Sequence, residues 1–114
     1  MKIIYKIATA QQWRAAEEKG RFDGAPVDIE DGFIHFSDAA TVRETAARHF
    51  AAQEGLVLAA VDAARLGDTL KWEVSRGGAL FPHLYAFLPL DAVLWTVPLP
   101  LDGLGGHLFP TNLP

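Results

Sequence analysis

The sequence predicts one α+β domain over residues 1–114, with two helices packed against a mostly antiparallel sheet. The chain of 114 residues is long enough for one hydrophobic core and short for two. Half of the residues are hydrophobic and 21% are charged, a composition that favours a folded core over disorder. Strand and helix patterns alternate in the first half, and strands follow one another in the second, which is typical of α+β domains.

The first elements are a strand, a helix and an acidic loop. Residues 3–7 are rich in isoleucine and predict a strand. Thr9 with Gln12 three positions later is the capping-box pattern that begins a helix, and Gly20 is expected to end it. Residues 22–32 contain glycine, proline and several carboxylates, and they predict a loop.

A second strand and a second helix follow. Residues 33–36 predict a short strand. Ser37 or Asp38 is expected to cap the next helix, with Thr41 as a competing start. The apolar residues of that helix share one face: Val42, Ala46, Ala47 and Phe50.

The second half of the chain predicts strands. Residues 56–61 form an unbroken apolar run, typical of a central strand covered on both faces. Residues 70–75 alternate between apolar and polar side chains. Residues 84–88 and 92–97 predict two further strands, and the tail from Leu101 onward is expected to be irregular. The three tryptophans are expected in the core: Trp13, Trp72 and Trp95.

Composition excludes several kinds of protein. The chain contains no cysteine, so it has no thiol catalysis, no cysteine-bound zinc and no iron–sulfur cluster of its own. Ten basic residues against 14 acidic ones give a net charge of −4. A nucleic-acid-binding domain normally carries a basic surface, so we expect no nucleic-acid partner.

The most apolar stretch, residues 79–101, contains four prolines. Prolines at that density interrupt a transmembrane helix, so we interpret the stretch as strands and expect no membrane partner. The N-terminal residues lack the apolar run of about 7–15 residues that a signal peptide needs. We therefore expect a cytoplasmic protein, and a monomer.

The four histidines do not predict a metal site. None of them is spaced from another as in the His-x-x-x-His pattern of zinc sites. They are His35, His49, His83 and His107.

Two segments place polar side chains inside apolar strands. In residues 32–37, alternation puts His35 and Ser37 on one strand face. In residues 81–85, His83 and Tyr85 share a face, and Pro82 is expected at an edge position or a bulge. These histidines are either site residues or core residues bonded to backbone carbonyls.

Glu73 lies between these segments in the sequence. Alternation predicts that Leu70, Trp72 and Val74 pack into the core while Glu73 points the other way. If the three strands are neighbours, Glu73 joins the two histidines, Ser37 and Tyr85 in one cleft with a base, a carboxylate and hydroxyl groups. The alternative is that Glu73 lies on an exposed strand face.

The chain resembles the bacterial domain of unknown function 952 family. The resemblance covers nearly the whole chain and depends on several blocks: Tyr5-Lys6-Ile7, Gly32-Phe33-Ile34-His35-Phe36-Ser37, Lys71-Trp72-Glu73 and Phe81-Pro82-His83-Leu84-Tyr85. The fold of that family is similar to the ADP-ribosyltransferase fold, so the resemblance implies a split sheet with a cleft for NAD.

The resemblance also implies roles for individual residues. Glu73 stands where the family carries an acidic residue, and with His35 it is the implied catalytic group. Ser37, His83 and Tyr85 match the blocks implied to bind a ligand, as do Tyr5 and Lys6 on the first strand. Lys6 stands where many relatives carry histidine, and a lysine cannot accept a hydrogen bond as that histidine can.

Three kinds of function stay open from the sequence. An enzyme acting on NAD or a related nucleotide follows from the resemblance in fold. The same resemblance in fold also suggests a non-catalytic module that binds a small molecule. A structural or protein-interaction domain, whose histidines belong to the core, is the third, because fold alone does not establish function.

Overall fold

The computed structural model describes residues 2–111 and 113, and of Arg76 the backbone alone. The strands are β1 Ile3–Thr9, β2 Arg21–Phe22, β3 Ile34–His35, β4 Leu56–Asp62, β5 Leu70–Val74, β6 Leu80–Leu84, β7 Leu88–Pro89 and β8 Val93–Leu99. The α-helices are α1 Ala10–Lys19, α2 Pro26–Asp31 and α3 Val42–His49. Three 3₁₀ segments complete the described elements, at Ala63–Thr69, Arg76–Gly78 and Leu90–Ala92.

The strands form three antiparallel sheets, which confirms the predicted α+β class. One sheet has the order β1-β4-β8, the second β3-β6-β5, and the third pairs β2 with β7. The two larger sheets meet at a single bridge, where Tyr5 and Ser37 exchange backbone hydrogen bonds of 2.7 and 2.9 Å. Beyond that bridge the sheets separate, so the edge of β1 opens onto a gap.

The core lies on both faces of the first sheet. Its central strand, β4, is covered on both sides, as its unbroken apolar run predicted: Leu58, Ala60 and Val61 are fully buried. One core cluster lies toward α1 and contains Trp13, and the other lies toward α3 and contains Val42.

The predicted start and end of α1 are confirmed. The Thr9 hydroxyl accepts a hydrogen bond from the Gln12 amide at 3.0 Å, and the Gln12 side chain accepts one from the Thr9 amide at 2.9 Å. Gly20 ends the helix with φ +92°. A glycine adopts this left-handed conformation without the penalty that a side chain brings.

The predicted loop over residues 22–32 is wrong, because it contains the helix α2. Pro26 occupies the first helical position, where its missing amide hydrogen leaves no bond unmade. The Asp28 carboxylate then accepts a hydrogen bond from the amide of Ala25, the residue before the helix, at 2.8 Å. These two residues start the helix, which Gly32 ends.

The predicted cap of the second helix by Ser37 is also wrong. The helix α3 begins at Val42 after Thr41, whose amide donates to the Asp38 carboxylate at 3.0 Å. The Ser37 hydroxyl lies 2.7 Å from the Thr45 hydroxyl. Ser37 therefore pairs with a side chain inside the helix and caps no amide.

The strand predicted over residues 84–88 lies four residues earlier, at β6, and it is the central strand of its sheet. Pro82 is inside it, which contradicts the expected edge position or bulge. The β3–β6 ladder covers only Ile34 with Leu84 and His35 with His83, so Pro82 lies just beyond its end. A missing amide donor is tolerated there, and the Pro82 carbonyl still accepts from the Phe36 amide at 3.0 Å.

The predicted packing of β5 is wrong for two residues. Trp72 is 36% exposed and Val74 is 69% exposed. Since β5 is an edge strand, this part of the sheet extends past the core. The Lys2 ammonium lies 5.0 Å from the centre of the Trp72 ring, and Trp13 is buried as expected. No described helix is both long and apolar enough to cross a membrane.

Candidate functional site

A cavity of about 570 Å³ lies where the two larger sheets separate. Its walls come from β1, α2, the segment 35–37, α3 and β6. The polar side chains among its lining residues include Tyr5, Lys6, Asp28, His35, Ser37 and His83. Its volume falls within the range of about 300–1,000 Å³ that is usual for small-molecule sites.

A buried ion pair forms one wall of this cavity. The Lys6 ammonium lies 2.9 Å from one Asp28 carboxylate oxygen and 3.1 Å from the other, and it donates to the His35 carbonyl at 2.8 Å. The side chains are 7% and 1% exposed. The Asp28 carboxylate also accepts hydrogen bonds from the amides of Ala25 and His35, at 2.8 and 3.1 Å. Each charge is therefore compensated where water does not reach.

The Asp28 carboxyl is ionised in spite of its burial. Burial raises the pKa of the Asp28 carboxyl, but the hydrogen bond from His35 and the Lys6 charge together outweigh it and lower that pKa to about 2. Burial lowers the pKa of the Lys6 ammonium, and the Asp28 carboxylate opposes this shift. Asp28 is therefore a fixed negative charge at neutral pH.

His35 is held between two carboxylates. Its Nδ1 lies 2.6 Å from an Asp28 oxygen, and its Nε2 lies 3.0 Å from an Asp31 oxygen. An ionised carboxylate can only accept, so a neutral ring can donate to one of the two and an imidazolium can donate to both. The ring is 35% exposed, and its orientation is set from both sides.

His83 is held by Glu73. The Nδ1 of His83 lies 2.8 Å from a Glu73 oxygen, and the Tyr85 hydroxyl donates to the same oxygen at 2.7 Å. The hydrogen bonds from Tyr85 and then from His83 lower the pKa of the Glu73 carboxyl, while the bond to Glu73 raises the pKa of Tyr85.

These contacts fix the proton of the His83 ring. An ionised carboxylate is an acceptor, so Nδ1 of His83 carries the hydrogen and Nε2 of the neutral ring is left as an acceptor. Nε2 has no hydrogen-bond partner among the described residues. His83 lines the cavity, so Nε2, with its lone pair, is the atom through which the ring can accept a hydrogen bond from a ligand.

Phe33 joins the two imidazoles. Its ring stacks on His83 at 4.1 Å between centroids, and it lies 4.6 Å from the His35 ring and 5.3 Å from the Tyr85 ring. The His35 and His83 centroids are 5.6 Å apart. Strand alternation placed Phe33 on the same face as His35, but its part in the cluster was not predicted.

Tyr5 and Ser37 line the buried end of the cavity. Tyr5 is 1% exposed and Ser37 is 4% exposed. Burial raises the pKa of the Tyr5 hydroxyl, with a smaller opposing effect of the Arg43 charge. The hydroxyl has no hydrogen-bond partner among the described residues.

The structure brings together most of the residues that the sequence proposed as a site. Those that line the larger cavity are Tyr5, Lys6, His35, Ser37 and His83. Tyr85 lines a smaller neighbouring cavity of about 300 Å³. Glu73 is not among the lining residues of either cavity and reaches the site through His83. Their roles in binding or catalysis stay predictions.

The sequence reasoning missed Asp28 and Asp31, which hold His35. Both were assigned to a loop because the short helix that carries them was not recognised. The proline and aspartate at its start were the available signal. Within the described part of the chain, no group of three or more histidine, aspartate or glutamate side chains could hold a metal ion.

The ionised state of Asp28 predicts a dependence of stability on acid. Its folded pKa of about 2 lies below the ordinary 3.8, so its contribution is complete above about pH 5 and is lost as the pH falls through 3.8 toward 2. We expect a loss of about 2 kcal/mol in the free energy of unfolding over that interval. Urea unfolding from pH 5 to pH 2 measures it, and Asp28→Asn should flatten the curve. Equal pH profiles for the two proteins would contradict the assignment.

Comparisons with known proteins agree with this fold. The crystal structure of protein CC0527 from Caulobacter crescentus has 50% sequence identity and a TM-score of 0.90, over 93% of each chain. Its solution NMR structure has 51% identity and a TM-score of 0.83, over 93% of this chain and 91% of that one. A crystal structure of its double methionine mutant has 48% identity and a TM-score of 0.90, over 93% of each chain.

None of these three structures is named for an activity, and the expected likeness to ADP-ribosyltransferases is not shown by them. A search of the curated proteins found no match. The family model described as "Protein of unknown function (DUF952)" matches residues 7–96. The chain therefore belongs to the DUF952 family.

Proposed function

We propose that the chain binds a nucleotide-class small molecule in the larger cavity and that His83 contacts it directly. NAD and ADP-ribose are the first candidates, because the sequence resemblance implies a cleft for NAD. The observation that carries the proposal is the pair of imidazoles on the cavity wall. The rings of His35 and His83 lie 5.6 Å apart, and each is fixed through Nδ1 by a carboxylate.

This arrangement supports a ligand site over a structural use of the histidines. A core histidine most often bonds a backbone carbonyl, whereas the ring nitrogens of His35 and His83 contact carboxylates. In His83, the carboxylate that holds Nδ1 fixes the tautomer and leaves Nε2 for a ligand, whereas both nitrogens of His35 contact carboxylates and only its orientation is fixed. Both rings also line a cavity of suitable volume.

The residues have different parts in the proposal. Nε2 of His83 accepts a hydrogen bond from a ligand hydroxyl, and the same atom takes the proton if the ligand is turned over. Phe33 contacts both imidazoles and lines the smaller cavity, so in this proposal it holds the two rings in place. His35, fixed between Asp28 and Asp31, offers the exposed part of its ring.

Glu73 is a positioning residue in this proposal. The sequence predicted that its carboxylate acts on the ligand, and its contact with Nδ1 of His83 supports an action through that ring instead. Lys6 has a related part, since its ammonium is engaged by Asp28 and the His35 carbonyl. Lys6 therefore maintains the wall and the charge balance of the cavity.

A thermal-shift measurement tests the proposal. We expect NAD, ADP-ribose or AMP, at millimolar concentration, to raise the melting temperature, because a ligand that binds the folded state alone stabilises it by mass action. His83→Gln should abolish the shift, and Glu73→Gln should reduce it. His107→Gln is the matched control, because His107 contacts the Gln53 carbonyl and does not line the cavity. No shift with any nucleotide, or a full shift in His83→Gln, would reject the proposal.

A further inference from the structure

The Tyr5 hydroxyl needs a hydrogen-bond partner that the described residues do not supply. It is buried, Tyr5 lines the larger cavity, and the hydroxyl contacts no described donor or acceptor. Native proteins pair most buried polar side-chain atoms, because an unpaired one destabilises the fold. A partner that comes from outside the chain is therefore expected at this end of the cavity.

Ser37 lies directly across the bridge from Tyr5. The two residues exchange backbone hydrogen bonds, so their side chains leave the backbone on the same side. Both also line the cavity. A ligand group at this end of the cavity would therefore lie beside both residues.

Toward a ligand, the Ser37 hydroxyl can act only as an acceptor while its hydrogen is donated to Thr45. The Thr45 hydroxyl donates its hydrogen to the Thr41 carbonyl at 3.1 Å. A hydroxyl has one hydrogen, so while Thr45 donates its hydrogen to the Thr41 carbonyl, Ser37 is the donor in the 2.7 Å contact with Thr45. The oxygen of Ser37 keeps lone pairs for a donor but has no second hydrogen to offer.

We infer that Tyr5 and Ser37 form a subsite for a carboxamide, with the amide oxygen accepting from the Tyr5 hydroxyl and the amide nitrogen donating to the Ser37 oxygen. This inference rests on the larger cavity being a ligand site, as proposed above, and it names the chemical group recognised at its buried end. A carboxylate fits less well, because its second oxygen would face the Ser37 lone pairs and leave two acceptors together.

The walls next to this subsite are suited to an apolar group beside the amide. Ile7, Phe36, Phe50 and Phe81 are among the residues that line the cavity. An aromatic amide therefore places its ring against apolar side chains and its polar end at the two hydroxyls.

Titration of the ¹⁵N-labelled chain with phenylacetamide and with phenylacetate, followed by ¹H–¹⁵N NMR, tests the inference. These two molecules differ in the amide and the carboxylate alone. We expect phenylacetamide to shift the backbone amide signals of Tyr5 and Ser37 and to bind at least about tenfold more tightly than phenylacetate. Tyr5→Phe should weaken phenylacetamide binding about fivefold to tenfold, the loss of one hydrogen bond.

Two controls separate recognition from damage to the fold. Thr96→Val removes an exposed hydroxyl from strand β8, outside the cavity, and should leave the affinity for phenylacetamide unchanged. Tyr5→Phe should leave the melting temperature of the unliganded chain unchanged or raise it, because it removes a buried group that lacks a partner. A lower melting temperature would show that the hydroxyl is already bonded within the protein, and would overturn the inference.

Three further results would overturn it: equal affinity for the amide and the acid, an unchanged affinity in Tyr5→Phe, or no binding of phenylacetamide at its solubility limit. The result is separable from the nucleotide proposal. If phenylacetamide binds in a Tyr5-dependent way while no nucleotide shifts the melting temperature, the subsite stands and the nucleotide proposal fails. Nucleotide binding that ignores Tyr5→Phe, with no phenylacetamide binding, gives the opposite outcome.

Discussion

Asp28→Ala is expected to lower the free energy of unfolding by about 3–5 kcal/mol, because it leaves the Lys6 ammonium buried without its counter-charge. The same change removes the acceptor of the Ala25 and His35 amides and releases Nδ1 of His35. Urea unfolding measures the loss. Asp68→Ala is a suitable control, since Asp68 is exposed in a 3₁₀ segment and should change stability by less than about 0.5 kcal/mol.

A double-mutant cycle identifies the source of this loss. Lys6→Met in an Asp28→Asn background removes the uncompensated ammonium, so the double variant should be more stable than the sum of the two single changes predicts. A coupling of about 1–3 kcal/mol is expected for groups in direct contact. Additive changes, or a loss below about 1 kcal/mol in Asp28→Ala, would show that the pair contributes little to the fold.

Gly24→Ala is expected to lower the free energy of unfolding by about 2–4 kcal/mol for two reasons. Gly24 has φ +115°, a conformation that disfavours any side chain. A Cβ atom at this position would also lie 2.9 Å from the Cβ of Asp28, which the ion pair and its hydrogen bonds hold in place. The alanine therefore strains the backbone and displaces the residue on which the wall of the site depends.

Gly32→Ala is the matched control for this change. Gly32 ends the same helix that follows Gly24, has φ +85°, and a Cβ there would meet no atom within 4 Å. It should cost the backbone penalty alone, about 1–2 kcal/mol. Chemical unfolding of both variants compares them. A loss in Gly24→Ala no larger than that in Gly32→Ala would contradict the tight packing of Asp28 against residue 24.

Local patterns in the sequence were sufficient for much of the fold and for one face of the site. The capping residues of α1, Thr9 and Gln12, act between neighbours in the chain, so their spacing alone identifies the helix start. Alternation likewise placed His35 with Ser37 and His83 with Tyr85. It required no knowledge of which strands pair.

Other features depend on contacts between distant parts of the chain. Lys6 and Asp28 are 22 positions apart, and no local pattern indicates that a lysine on a strand will bind an aspartate on a six-residue helix. The exposure of Trp72 has a similar origin, since a strand pattern does not show that the strand forms the edge of a sheet and extends past the core.

The position of β6 shows how a local rule was overridden. Pro82 was expected at an edge position or a bulge, and the strand was predicted to begin after it, at Leu84. The structure places Pro82 beyond the last paired residue of the two-residue strand β3, where its missing hydrogen costs no ladder bond. Pro82 is tolerated inside β6 because the neighbouring strand β3 is short, and residues 81–85 contain no information on the length of β3.

Imidazole ¹⁵N NMR of the labelled chain, recorded before and after saturation with NAD or ADP-ribose, tests the claim that His83 is the ligand-contacting group of the cavity. In the unliganded chain, the neutral His83 ring should carry its proton on Nδ1, as its contact with Glu73 requires. On saturation, the Nε2 signal of His83 should move while the signals of His107 stay in place. Unchanged His83 signals under saturating ligand, or a proton found on Nε2, would contradict the account.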